Sequence, residues 1–140
     1  ARLYVAALAD RRGTPLVRWG HAGSDLGREL GLTRFHLQPD GLAELRGRGG
    51  VVTIALEIDR GTEPRSVLRR KFERYHGVAL EGSVSGLWII AAGSAERLRG
   101  LSALSEESGL AGFAALLPHH AIIERPLREY PWPGAGVDAG

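Results

Sequence analysis

A chain of 140 residues with 44% apolar and 24% charged residues has the size and composition of one folded domain rather than a disordered segment. It contains no Cys, which excludes disulfides and thiolate–metal sites, and no apolar run approaches the roughly 20 residues needed to span a bilayer. The net charge is +2 and the pI near 9.5, with 17 Arg against a single Lys, a bias that fits a GC-rich genome and favours nucleic acid as a partner. No signal-peptide layout opens the chain, so a cytoplasmic protein is expected. Met is absent throughout, so Ala1 is not an encoded start and the sequence is expected to be a piece of a longer protein.

Residues 2–12 read as the end of a helix stopped by Gly13, and Leu16–Trp19 as a short strand. Asp25–Leu30 reads as a brief helix with Ser24 as its N-cap and Gly31 as its terminator. Pro39-Asp40-Gly41 is a turn that feeds a strand, and Gly47–Gly50 is a hairpin loop. Val51–Asp59 is the clearest strand: Val52, Ile54, Leu56 and Ile58 alternate on one face, and Glu57 and Asp59 point the other way at its C-terminal end. Thr62-Glu63-Pro64 opens a helix, with Thr62 as cap, that runs to His76 and stops at Gly77. Leu87–Ala92 is a buried strand by its unbroken apolar run. Ser94 caps a helix through Glu107, and Phe113–Leu117 forms a last strand. Residues 1–118 thus make one domain, and 119–140 a Pro- and Gly-rich tail that frays or serves as a linker. Antiparallel strands followed by strand–helix alternation predict an α/β (α+β) fold, a mixed sheet flanked by helices.

Three carboxylates gather at one edge in this layout. Antiparallel pairing across the Gly47–Gly50 turn sets Asp40, at the start of one hairpin strand, beside Glu57 and Asp59, at the end of its partner. Carboxylates so placed suit a divalent cation that activates water against a phosphodiester. At 100° per residue, Val67, Leu68, Phe72 and Tyr75 share an apolar arc, and Lys71 falls inside it. A lysine on such a stripe is costly unless its ammonium meets a carboxylate, and the Asp40/Glu57/Asp59 edge is its natural partner. The bland alternative is a turn aspartate, a solvated strand end and a snorkelling lysine.

Pro39-Asp40-Gly41, then Ala55-Leu56-Glu57-Ile58-Asp59-Arg60-Gly61-Thr62-Glu63, then Arg70-Lys71-Phe72-Glu73-Arg74-Tyr75, resembles the replication-relaxation family over about Leu3 to Leu117. These are plasmid and integrative-element proteins of Gram-positive bacteria associated with plasmid replication and DNA relaxation. The resemblance implies a winged-helix DNA-binding segment ahead of Ala1. The same layout resembles the PD-(D/E)XK nucleases, with a restriction-endonuclease-like αβββαβ core. That likeness implies Asp40 and Glu57 as Mg²⁺ or Mn²⁺ ligands with Asp59 as helper, and Lys71 as the cation that orients water. Tyr75 would brace Lys71 or touch the DNA backbone, and Glu29 would be a further acid. Where that motif expects lysine, this chain has Asp59, and Lys71 on the next helix would substitute. Arg60, Arg65, Arg69, Arg70 and Arg74 are candidates for phosphate contacts.

Two functions are expected from this reading. One is a Mg²⁺-dependent DNA nickase or endonuclease of plasmid replication. The other is a non-catalytic DNA-binding or replication accessory module that kept the fold and lost the chemistry, with replication proteins or a second copy as partners. No P-loop, dinucleotide fingerprint or nucleophile elbow is present. The His119-His120 pair is too cramped to share one metal, Trp88 reads as core, and Trp132 either packs back or meets a partner.

Overall fold

Two apolar alternations, offset by one residue, build a sheet with two buried faces. The computed structural model describes residues 15–118 except Arg48 and Ala92. The expected helix at 2–12, the His119-His120 pair, Trp132 and the 119–140 tail lie outside those residues. The elements are β1 (Leu16–Gly20), α1 (Asp25–Leu30), a 3₁₀ turn (Leu32–Phe35), β2 (Gly41–Gly47), β3 (Gly50–Asp59), α2 (Arg65–Glu81), β4 (Gly86–Ala91), α3 (Ala95–Glu107) and β5 (Ala114–Pro118).

The five strands lie in sequence order. β1 pairs with β2 and β2 with β3 antiparallel, and β3–β4 and β4–β5 are parallel. The two parallel steps need crossover connections, and α2 and α3 supply them. This is the mixed sheet with helices that the element order predicts. Among the described residues no helix is long and apolar enough to cross a membrane.

The side-chain period of two decides which core each strand residue joins. Ala55 of β3 and Leu87, Ile89 and Ala91 of β4 face Leu68, Phe72, Tyr75 and Val78 of α2 and Leu101 and Leu104 of α3. Ile54, Leu56, Trp88, Ile90, Ala115 and Leu117 make the core of the opposite face. Glu57 and Asp59 share the parity of Ala55, so β3 aims both carboxylates at the helical side.

Several local expectations are met in detail. Ser24 accepts from the Gly27 N–H and Ser94 from the Arg97 N–H, each at a helix N-cap. The β2–β3 hairpin turns between Gly47 and Gly50, which are paired residues. Three details of α2 differ. Its N-cap is Pro64, with no side-chain cap, so Thr62 does not serve. The helix does not stop at Gly77. It continues to Glu81 because Val78, the next residue, is fully buried, while Phe35 packs over Gly77 so closely that a Cβ there would lie 3.3 Å from its ring. The stop is Gly82, in the left-handed region at φ 89°. Val67 is 46% exposed and lies off the arc formed by Leu68, Phe72, Tyr75 and Val78.

Candidate functional site at the end of strand β3

The hairpin register sets Gly41 opposite Leu56, which brings Asp40 level with Glu57 near the end of β3. Asp40 is exposed, and its Oδ2 accepts the backbone N–H of Ile58 at 2.8 Å. The close approach depends on Gly41. The Trp19 ring of β1 occupies the space beside it, and a Cβ there would lie 2.5 Å from the ring. A residue with any side chain at 41 would push Trp19 away and loosen the turn that carries Asp40.

Glu57 is 7% exposed. Its Oε1 accepts the Tyr75 hydroxyl at 2.6 Å, and its Oε2 lies 3.5 Å from Lys71 Nζ. Lys71 and Tyr75 stand four residues apart on α2, so one face of the helix delivers both to the same carboxylate. Burial pushes the Glu57 carboxyl up to about 7 despite the Tyr75 hydrogen bond and the Lys71 charge, which both favour ionisation, and Asp40 adds to the rise. The Tyr75 hydroxyl is held well above its ordinary value, first by burial and then by the charge of Glu57. Burial works against the Lys71 ammonium, but the hydrogen bond to Glu63 and the fields of Glu57 and Glu63 outweigh it and raise its pKa.

Asp59 takes a different partner from the one expected. Arg97, in the first turn of α3, donates Nε to its Oδ2 at 2.9 Å and Nη2 to its Oδ1 at 2.7 Å. This fork-to-carboxylate pair is the strong, planar kind. The Arg97 hydrogen bonds hold the Asp59 carboxyl below the usual carboxylate range against the effect of burial. Arg97 Nη2 also reaches the Glu63 carbonyl at 3.3 Å. Glu63 in turn accepts Lys71 Nζ at 2.9 Å, closer than Glu57 does. The chain of contacts runs Arg97, the 59–63 turn, Lys71, Glu57, Tyr75.

The structure therefore brings Asp40, Glu57, Lys71 and Tyr75 to one edge, as the strand pattern predicts. Tyr75 bonds Glu57 rather than Lys71. Asp59 is at the same strand end but is engaged by Arg97, and no three carboxylate or imidazole side chains come together as a metal-holding group among the described residues. Glu29 is not brought to this edge: Arg18 of β1 holds it in an exposed pair, Nη1 to Oε2 at 2.8 Å and Nη2 to Oε1 at 3.1 Å. Of the five arginines singled out, Arg65 and Arg69 face Glu107 at 3.3 and 3.8 Å. Arg74 donates to the His36 carbonyl at 3.4 Å, and Arg60 and Arg70 are exposed.

Two participants have no sequence signal of their own. Glu63 stands in a turn of ordinary composition. Arg97 is 38 residues from Asp59 in the chain, and only the packing of α3 brings them together. A cleft of about 400 Å³ opens onto the site, lined by Thr33, His36, Leu37, Gln38, Glu57, Lys71 and Arg74.

Asp40, exposed, and Glu57, buried, are two carboxylates at one strand end, and Mg²⁺ commonly takes only one or two protein carboxylates beside water. Among the described residues no cluster of His, Cys, Asp and Glu of the kind that Zn²⁺ prefers is present.

No curated protein and no solved structure matches the chain significantly. The replication-relaxation family model matches residues 3–86, more than half of the chain, and that span contains Asp40, Glu57, Glu63, Lys71 and Tyr75. The chain belongs to the replication-relaxation family, and its role lies in plasmid or mobile-element replication and DNA processing.

Proposed function

We propose that the β3 edge is the active site of a Mg²⁺- or Mn²⁺-dependent DNA nickase or endonuclease with a divergent PD-(D/E)XK core. The observation that carries this reading is that Asp40 and Glu57, at the open end of one hairpin, stand beside Lys71 of α2, at a cleft whose α2 wall carries Lys71 and Arg74. Asp40 and Glu57 would hold the cation, which would supply Lewis-acid activation of water and offset charge on the phosphate. Asp59 drops out of the ligand set, because Arg97 takes both of its oxygens in a charged fork at 2.9 and 2.7 Å, whereas Lys71 stands off from Glu57 Oε2 at 3.5 Å.

Each remaining side chain has work that follows from its place. Tyr75 fixes the Glu57 carboxylate in one rotamer and supplies one of its hydrogen bonds. Lys71 lies near enough to both Glu57 and the cleft to orient water or to meet a phosphate oxygen. Glu63 holds the ammonium beside Glu57. Arg74 lines the cleft, and the exposed Arg60 and Arg70 extend the basic surface around it.

A second reading has one observation in its favour. Asp59 stands where the nuclease motif places lysine, and its tight pair with Arg97 is what a purely structural residue would make. On that reading the chain is a DNA-binding or replication accessory module, with replication proteins or a second copy as partner.

A metal titration separates the two. At tenfold its Kd, a cation bound only by the folded chain adds about 1.4 kcal/mol of stability. A rise in melting temperature with Mg²⁺ or Mn²⁺ that Asp40→Ala abolishes supports the first reading. An unchanged melting temperature with either ion supports the second.

A further inference from the structure

We propose that Thr33, His36 and Gln38 form the second wall of the cleft and grip a DNA backbone phosphate next to the one addressed by Asp40 and Glu57. The inference rests on the DNA-processing reading of the same cleft and names the part of the chain that would hold the strand.

The polar lining of the cleft is one-sided in chemistry. Apart from Glu57, its polar groups can all donate: the Thr33 hydroxyl, the Gln38 amide, the His36 imidazole, the Lys71 ammonium and the Arg74 guanidinium. Donors of this kind, from neutral side chains together with cations, are how proteins hold a phosphodiester oxygen without reading its base. The carboxylate end of the cleft would repel the same phosphate, so the strand is placed by attraction on one wall and by the reacting centre on the other.

The wall is rigid for a reason that the burial pattern shows. Leu32 and Leu37 are 0% and 3% exposed and anchor the segment in the helical-side core, while Thr33, His36 and Gln38 between and beside them are exposed. Arg74 ties the segment to α2 through the His36 carbonyl at 3.4 Å. Lys71 and Arg74, three residues apart on α2, therefore face a wall held at a fixed spacing.

His36 carries the second observation. It is the one non-glycine residue with positive φ among the described residues, at 55°. Its N–H closes the 3₁₀ turn onto the Thr33 carbonyl at 3.0 Å, a task glycine would perform without strain. Backbone strain kept at a cleft wall points to a use for the side chain there.

The two possible uses of position 36 predict opposite patterns for His36→Gly. The experiment is fluorescence anisotropy of labelled single- and double-stranded oligonucleotides with the whole 140-residue chain in EDTA, alongside thermal melting. We expect His36→Gly to melt at or above the wild-type temperature and to bind DNA about five- to tenfold more weakly. A Thr33→Ala/Gln38→Ala variant, whose changes lie on exposed side chains, should weaken binding similarly without loss of fold. Equal DNA affinity in wild type and both variants overturns the proposal, as does a wild type that binds neither oligonucleotide. Cleavage measured in parallel with Mn²⁺ keeps the two ideas apart. Weakened binding in the variants with no cleavage by the wild type leaves the wall standing and removes the nuclease reading. Cleavage with unaltered binding does the reverse.

Discussion

Replacing Glu57 by Gln tests the electrostatics of the site without reference to catalysis. The substitution keeps the shape and an oxygen to accept from Tyr75, removes the ability to ionise, and replaces the oxygen facing Lys71 by an amide NH2, a pH-independent cost that shifts the whole curve rather than its slope. In the folded chain the Glu57 carboxyl is pushed up to about 7 from its ordinary 4.5. At about 1.4 kcal/mol per tenfold change in proton binding, that gap is worth about 3 kcal/mol. The sign follows from proton release. Below pH 4.5 both folded and unfolded chains hold the proton, and the stability is complete. Between 4.5 and about 7 the unfolded chain has lost its proton and the folded one still keeps it, so stability falls as pH rises. Above 7 the loss is complete, because the buried carboxylate is then charged in both states. The Gln variant cannot follow this curve. Urea denaturation of both proteins from pH 4.5 to 8.5, followed by tryptophan fluorescence, reads the difference directly. Histidines and other carboxylates titrate in the same range, but they are common to both proteins and cancel in the comparison. The expected result is a stability advantage for Glu57→Gln that grows by about 3 kcal/mol between pH 4.5 and 8.5. A difference that stays flat, or that grows in favour of the wild type, would refute the reasoning: Glu57 would then not be a buried carboxyl short of solvation.

Tyr75→Phe should raise the Glu57 carboxyl above about 7, by roughly one to two pH units if the lost hydrogen bond to a charged group is worth about 1.5–3 kcal/mol. Carbon-13 NMR of the side-chain carboxyl checks it, and an unchanged titration would place the hydroxyl elsewhere. Arg97→Ala should cost about 3 kcal/mol near neutral pH, since it strands an Asp59 that is 5% exposed. Because Arg97 depresses the Asp59 pKa, the stability of the pair is present above the ordinary carboxylate range and is lost as pH falls through the lowered value. The cost of Arg97→Ala should therefore shrink toward pH 3. A double-mutant cycle with Asp59→Asn should return a coupling above about 1 kcal/mol.

What the sequence made legible here follows the reach of each physical rule. Period-two alternation needs only nearest neighbours, so it placed β3, its two faces, and the direction of Glu57 and Asp59. The Gly47–Gly50 turn fixed the hairpin and with it the meeting of Asp40 with the end of β3. Helical period then put Lys71 and Tyr75 on the face that looks at Glu57. Direction does not choose a partner, however. Asp59 points toward the helices in either account, and only the seating of α3 decides that Arg97 meets it first. Glu29 shows the same limit in the other direction: its position on a short helix carried no information about Arg18, which holds it on the far antiparallel side of the sheet. Gly77 does not stop α2 because helix propensity is local, whereas the burial of Val78 one residue on is tertiary and outweighs it. The 33–38 segment has neither period, so its contribution to the cleft has no signal in the sequence.

The nickase reading is tested by the conversion of supercoiled plasmid to open-circle form by the chain with Mn²⁺ or Mg²⁺, beside Lys71→Ala and an EDTA control. Nicked product is expected only with metal, and is expected to be lost in Lys71→Ala while that variant still folds. Intact supercoiled plasmid under all conditions, or nicking that survives the loss of Lys71, would contradict it.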